Sequence, residues 1–359
     1  MATSVYIHIP FCKSICSYCD FCKFLYNEKW VTVYLDALKK EIKDRYMDDP
    51  VKTLYIGGGT PSSLNMDELH RLFRIIKLLN LNNLEEFTFE CNLEDITLEL
   101  LNILKENKVN RLSIGIESFN PKKLAFMERS ANFKDAKEKI KLCRTLGFDN
   151  INLDLMYAIP GETLKDLNKD LNMFLKLKPD HISTYSLILE EHTKLASAHE
   201  EYISDELDYD MYKLIIKKLK GYEHYEISNF GLKGYESKHN LVYWNNEEYY
   251  GFGLGASGYI DNTRYTNTKN LKKYLLGEYV KEEEIVSKTA KMNYEIMLGL
   301  RKLKGINVLE FKRKYNEDIE SVYNLKPLYK NKDLIKRNNH IYINPSKIYV
   351  MNEILLKII

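Results

Sequence analysis

Short runs of β-branched and aromatic residues alternate with helical patterns through the first two thirds of the chain. That alternation constrains its fold more than any other feature. Ser4–Ile9, Thr53–Ile56, Glu86–Glu90, Arg111–Ile116, Asn150–Met156 and His181–Leu187 read as strands. Helical patterns over Glu28–Arg45, Met66–Leu79, Leu98–Glu106, Phe133–Leu146, Leu164–Leu177 and Glu206–Lys220 follow them in turn, with a shorter one at Pro121–Met127. Strand–helix repetition of this kind predicts an α/β fold, a parallel sheet wrapped by helices. Six such units are too few for a closed eight-fold barrel, which leaves an open partial barrel or a doubly wound sheet. Both gather chemistry at the C-terminal ends of their strands.

The alternation stops near residue 225. From Glu226 to Ile260 the chain is rich in Gly, Asn and aromatics and reads as loops and short strands, before helical patterns return near Leu271–Leu276 and Asn293–Leu303. A boundary near 225 and a small C-terminal domain from about 285 follow from this reading, and 359 residues leave room for them.

Composition bears on where such a chain works. With 53 Lys+Arg against 51 Asp+Glu it lacks the basic surplus of a general nucleic-acid binder. It contains no run of 18 apolar residues, and Met1–Phe11 does not have the basic start and apolar core of a secretory leader. A cytoplasmic, reducing location is therefore expected, where disulfides are not maintained.

In that setting the cysteines carry information. Four of the six, Cys12, Cys16, Cys19 and Cys22, lie within eleven residues directly after the first strand. Clustered cytosolic thiols point to a metal or redox site. Cys12-x3-Cys16-x2-Cys19 must sit on one loop folded around a small object. Cys22 would make a fourth thiolate for zinc or a ferredoxin-like cluster. Zinc ribbons bring together two separated knuckles, and no second knuckle is present. With three thiolates, one iron of a cluster lacks a protein ligand and is open to a small molecule. Cys91 and Cys143 stand alone and read as small core residues.

Cys-x3-Cys-x2-Cys after a first barrel strand resembles the radical S-adenosylmethionine (SAM) superfamily. The resemblance implies a partial (βα)6 barrel over 1–225, a [4Fe–4S] cluster on Cys12, Cys16 and Cys19, and SAM on the open iron. It leaves Cys22 as bystander or auxiliary ligand. Gly57-Gly58-Gly59-Thr60-Pro61 resembles the motif that meets the methionyl amino group, with Gly58, Gly59 and Thr60 at the ligand. By the same resemblance Glu90 holds the ribose or the amino group, Arg129 the carboxylate and Asp154 the ribose, while Tyr6 and Tyr18 line the pocket. Two departures stand out: Glu117 occupies a position that is usually Gln, and Leu93 one that is usually Pro.

Nearly the whole chain is similar to the oxygen-independent coproporphyrinogen III oxidase group, through Tyr6–Phe11, Ile56–Ser62, Asn110–Phe119, Asp154–Thr163, Tyr225–Asn229, His239–Trp244 and Leu298–Arg301. The group holds true oxidases, which decarboxylate two propionates, and a sister branch of haem chaperones. The oxidases carry a long N-terminal extension and a fourth Cys two positions after the third; here the first Cys is residue 12 and the fourth position is Phe21. His239-Asn240-Leu241-Val242-Tyr243-Trp244 matches the HNxxYW signature of the chaperone branch. The resemblance therefore implies haem as a third cofactor, with His239 as axial ligand and Tyr243 and Trp244 against the porphyrin. It places this motif in a linking region over 226–284, ahead of a winged-helix-like α+β domain over 285–359. Delivery of haem to client haemoproteins, including membrane-associated respiratory enzymes, is the implied function, and oxidative decarboxylation in porphyrin biosynthesis is the alternative. An electron donor is implied where SAM is cleaved, and a homodimer is compatible with the reading.

Overall fold

A computed structural model of the chain describes residues 1–191, 193–197 and 202–359. Six parallel strands form its centre: β1 (Ser4–Ile9), β2 (Thr53–Gly58), β3 (Glu86–Asn92), β4 (Arg111–Glu117), β5 (Ile151–Tyr157) and β6 (His181–Ser186). They lie side by side in chain order. An order without reversal has no switch point, so every crossover passes on the same side. This is the partial barrel, not the doubly wound sheet.

The crossovers carry helices α1 (Glu28–Arg45), α2 (Met66–Ile76), α3 (Leu98–Glu106), α4 (Phe133–Thr145), α5 (Leu164–Lys176) and α6 (Asp205–Lys218). Each begins at a polar cap. Asn27, Asn65, Thr97, Asn132, Thr163 and Ser204 accept a hydrogen bond from the first turn, and Asn65 with Glu68 completes a capping box.

Alternation along the strands assigns two faces. Val5, Ile7, Leu54, Ile56, Phe87, Phe89, Leu112, Ile114, Leu153 and Leu155 are wholly buried in the core with the helices. The intervening residues, such as Tyr55, Glu90, Arg111, Ser113, Asn152 and Asp154, line the barrel lumen. A parallel sheet usually reads as continuous apolar runs because both faces are covered. Here one face is polar although it is enclosed.

The sheet continues beyond six strands. β7 (Glu223–Glu226) and β8 (Asn229–Gly231) add antiparallel ribbons beside β6, and β9 (Tyr250–Phe252) pairs parallel to the free edge of β1. Between β8 and β9 runs α7 (Lys238–Trp244), whose first two N–H groups, from Lys238 and His239, donate to Glu86 on β3 at 3.0 Å each. Ser257–Ile260, Thr263–Asn267 and Val280–Ile285 form a separate antiparallel sheet. In the C-terminal segment, helices Lys288–Gly299 and Val308–Tyr315 accompany a three-stranded antiparallel sheet of Ile306–Asn307, Leu334–Arg337 and His340–Ile343. Among the described residues no helix is long and apolar enough to cross a membrane.

One buried carboxylate ties the segment after β9 to the barrel. Glu41 on α1 is fully buried and accepts from Gly253 N–H at 2.8 Å, the Tyr274 hydroxyl at 2.6 Å, Asn267 Nδ2 at 2.7 Å and Arg45 Nη1 at 2.7 Å. Removing it leaves several buried donors without an acceptor. Glu41→Ala should therefore cost about 3 kcal/mol of unfolding free energy, measured by urea titration, with Glu41→Gln costing less. A loss under about 0.5 kcal/mol, the size of an ordinary surface change, would contradict the tie.

Candidate functional site

The C-terminal ends of the six strands open onto one loop, and that loop carries the clustered thiols. It is anchored along its length. Phe11–Cys12 pairs with Phe24–Leu25 as a short parallel ribbon. Ser17 Oγ donates to the Phe126 carbonyl at 2.8 Å. His8, on β1, accepts from the Tyr6 hydroxyl at Nδ1 (2.9 Å) and donates from Nε2 to the Cys22 carbonyl at 2.7 Å. Burial lowers the His8 pKa to about 4, so the ring is neutral and its single proton is committed to that carbonyl.

Cys12, Cys16 and Cys19 line a cavity of about 370 Å³ that runs down into the lumen. Cys22 is not on its wall. Its side chain turns toward the Gly255 turn, where an added β-carbon would lie 2.8 Å from Cys22 Cβ. Among the described residues, no three His, Cys, Asp or Glu side chains converge tightly enough to hold a single metal ion. The three thiols instead line one wall of a larger space. Burial pushes the Cys12 thiol up to about 11, against the hydrogen bond from Thr60 Oγ1 at 3.6 Å, so it stays protonated until a metal displaces its proton.

The glycine run after β2 is shaped by three different neighbours. A β-carbon on Gly57 would lie 2.7 Å from the Glu90 carboxyl, one on Gly58 2.7 Å from the His8 ring, and one on Gly59 2.9 Å from Cys12 Sγ. Only Gly58 also has a left-handed backbone, at φ 119°. The bare backbone thus borders the cavity between the thiol loop and Glu90.

Glu90 accepts from the Tyr55 hydroxyl at 2.6 Å and from Gly58 N–H at 3.0 Å. Burial raises its pKa to about 7, and nearby Asp154 adds to the rise. Arg129 donates to Asn92 Oδ1 at 2.8 Å, to the Gly115 carbonyl at 3.0 Å and to Cys16 Sγ at 3.9 Å. Its buried Nε has no partner. Glu117 stands 3.7 Å from Arg129 at a strand irregularity, in a left-handed conformation at φ 67°, and burial pushes its pKa up to about 7. A bulge here re-aims the side chain at the thiol end of the cavity. Asp154 accepts from Asn152 Nδ2 at 2.9 Å, and burial raises its pKa as well.

Tyr18, Gly58, Gly59, Thr60, Glu90, Glu117, Arg129 and Asp154 thus meet on one cavity wall with the three thiols. Tyr6 does not reach that wall; it packs against Tyr55 and His8. His239, Tyr243 and Trp244 lie elsewhere too, on α7. His239 is 1% exposed, and both ring nitrogens are engaged, Nδ1 with Thr53 Oγ1 at 2.9 Å and Nε2 with the Tyr243 hydroxyl at 2.7 Å. Burial lowers its pKa to about 3. The Trp244 Nε1 is buried without a partner. From the same helix Asn240 does reach the cavity, which makes α7 its floor. Sequence reasoning missed Asn240, Arg111, Asn92 and Asn152, all on the wall. Strict alternation along β3 to β5 carries the signal for the last three.

The donor set fits an iron–sulfur cluster with a zwitterionic ligand beside it. Three thiols stand at one end, a buried guanidinium with a free Nε at their flank, and bare backbone and carboxylates lie below. The comparisons with known proteins bear on the family and the fold. Residues 6–174 match the model of the radical SAM superfamily. The chain is 40% identical over 350 residues to the heme chaperone HemW of Lactococcus lactis subsp. lactis (strain IL1403), covering 92% of each. It is 39% identical to that of Bacillus subtilis (strain 168), covering 89% of each, and 32% identical to that of Escherichia coli (strain K12), covering 86% of this chain and 85% of that one. Among solved structures, coproporphyrinogen III oxidase (HemN) from Escherichia coli, a radical SAM enzyme, superposes on 99% of this chain and 89% of its own with a TM-score of 0.86. At 21% identity that likeness concerns the fold.

The thiol geometry gives a direct test. Cys12→Ala, Cys16→Ala and Cys19→Ala should each abolish iron–sulfur absorbance after anaerobic reconstitution, while Cys22→Ala retains it. Full absorbance in Cys16→Ala, or none in Cys22→Ala, would contradict the three-ligand wall.

Proposed function

Because the chain belongs to the HemW family of the radical SAM superfamily, we propose that it is a haem chaperone, which binds haem and delivers it to client haemoproteins. The observation that carries this reading is 40% identity to a heme chaperone HemW along 92% of both chains. Its clients would include membrane-associated respiratory enzymes, its setting would be the cytoplasm, and it would work as a monomer or a homodimer.

In this reading Cys12, Cys16 and Cys19 hold a [4Fe–4S] cluster whose fourth iron is left to SAM. When bound, the pair supplies one-electron chemistry, for which a separate electron donor would be needed if SAM is cleaved. The chain's own residues bind and orient. Gly58, Gly59 and Thr60 let the ligand approach backbone. Arg129 faces its carboxylate, Glu90 its ammonium or ribose hydroxyls, and Asp154 the ribose. Tyr18 and Glu117 flank the thiol end, and Tyr6 braces His8 from behind.

Haem binding is assigned to the His239–Trp244 motif, with His239 as axial ligand and Tyr243 and Trp244 against the porphyrin. In the described conformation the imidazole is locked by Thr53 and Tyr243. Ligation therefore requires the buried ring to be uncovered and one of its nitrogens released, which breaks at least one of these hydrogen bonds. The neutral ring that burial favours is the protonation state a metal needs.

The purified protein should bind haem and pass it to an apo-haemoprotein, and should form no protoporphyrinogen IX from coproporphyrinogen III. His239→Ala should change the haem absorbance spectrum and weaken binding, yet leave the iron–sulfur absorbance intact. SAM-dependent decarboxylation without haem binding would make the chain an oxidase. An unchanged haem spectrum in His239→Ala would move the axial ligand to another residue.

A further inference from the structure

The lumen contains a charge that neither the fold nor the proposed cofactor contacts explain. Arg111 opens β4 and is 2% exposed, the largest of the fully buried side chains. Of its five donors, Nη1 makes one long hydrogen bond to Thr88 Oγ1 at 3.4 Å, and its buried Nε has no partner. Among the described residues no carboxylate stands within ion-pair distance of it. A buried guanidinium is costly unless paired or placed where its charge is used.

Its position in the ladder shows what shares that charge. Arg111 is the register partner of Thr88, two residues before Glu90 on the same inward face. On the other side, two residues along from Arg111, Ser113 accepts from Asn152 Nδ2, which also donates to Asp154. Arg111 thus sits on the cavity wall beneath both carboxylates. We propose that Arg111 is a positioning residue whose charge, shared between Glu90 and Asp154 across the lumen, favours the anionic form of both carboxylates for the ligand above them.

Few other charges around these acids act in the same direction. Around Glu90 stand the phenols of Tyr55, Tyr6, Tyr185 and Tyr243 and the acids Asp154 and Glu117, none of which is cationic. Burial holds the phenols of Tyr6, Tyr55 and Tyr243 well above their usual range, so they stay neutral between pH 6 and about 9. Asp154 meets Asn152, Ser183, Glu117 and two cations, Arg111 and Arg129. Arg129 is engaged at the thiol end by Asn92 and Gly115. Arg111 favours the ionised form of both acids against their burial. An anionic Glu90 attracts a cationic ammonium and accepts from it or from ribose hydroxyls with both oxygens, whereas a protonated one loses that attraction and turns one oxygen into a donor.

This inference rests on the proposed SAM pocket, and the experiment separates the two. SAM is titrated by calorimetry into anaerobically reconstituted protein from pH 6 to about 9, in wild type, Arg111→Met and Arg111→Lys. Removing the charge should raise the pKa values of both acids, so Arg111→Met binds SAM more weakly at pH 7, by roughly fivefold for a one-unit rise at Glu90, which is already half protonated there. The deficit should shrink toward pH 9, where the acids ionise regardless. Arg111→Lys should stay near wild type, because the fork of Arg111 is almost unused and a point charge suffices. Arg111→Gln supplies a second neutral side chain, and infrared carboxyl bands assigned with Glu90→Gln read the protonation state directly. A deficit equal at every pH, a lysine variant as weak as the methionine one, or unshifted carboxyl bands would overturn the proposal. Wild type that binds no SAM would overturn the pocket itself.

Discussion

Alternation along the six barrel strands sends apolar side chains outward to the helices and polar ones inward, and the rest of the molecule follows from that division. The outer face supplies the core, where Ile7, Leu54, Phe87, Phe89, Leu112 and Leu153 are wholly buried. The inner face is enclosed without being apolar. Polar groups removed from water must find partners or a ligand. Most do: His181 bonds Asn152 and Tyr225, Tyr55 bonds Glu90, and His239 bonds Thr53 and Tyr243. Among the described residues, two cations that border the same cavity, Arg111 and Arg129, each keep a buried unpartnered Nε.

Two elements close that cavity. Above, the thiol loop is held against the barrel by His8 and by its contacts with Phe126 and Met127. Below, α7 is held at its N-terminus by Glu86, a favourable place for a carboxylate beside free N–H groups. The His239–Trp244 motif and the proposed SAM cradle are therefore at two ends of one lumen. Asn240 faces the cavity while His239, one residue earlier, faces away from it and is locked in place. A chaperone that ligates haem through His239 must first give up one of the hydrogen bonds that lock its ring.

Much of this was legible in the chain itself. The six strands and their helices lie within about two residues of the periodic runs, with Met66–Ile76 three residues shorter than its run, because each strand is long enough to show a period and each helix has a polar cap. Strands of two to four residues past 220 show no period, so β9 at the β1 edge was not distinguishable from loop. The partial barrel and the doubly wound sheet both satisfied the alternation; strand order decides between them, and order is a property of tertiary pairing. Arg111 and Asn152 escaped notice for a related reason. A polar face that lines a lumen has the same pattern as a polar face in water. His239 read as an aromatic loop residue, since a seven-residue helix is too short to declare itself, and its burial depends on Thr53, nearly two hundred positions away.

In the proposed function three thiols, without Cys22, leave one iron open to a ligand held by Arg129 and Glu90. Electron–nuclear double resonance of the reduced, reconstituted protein with isotopically labelled SAM tests it most directly. The account predicts hyperfine coupling from the methionyl amino nitrogen and carboxylate oxygen to the cluster, equal in wild type and Cys22→Ala. Absence of coupling in wild type, or coupling that appears only when Cys22 is removed, would contradict it.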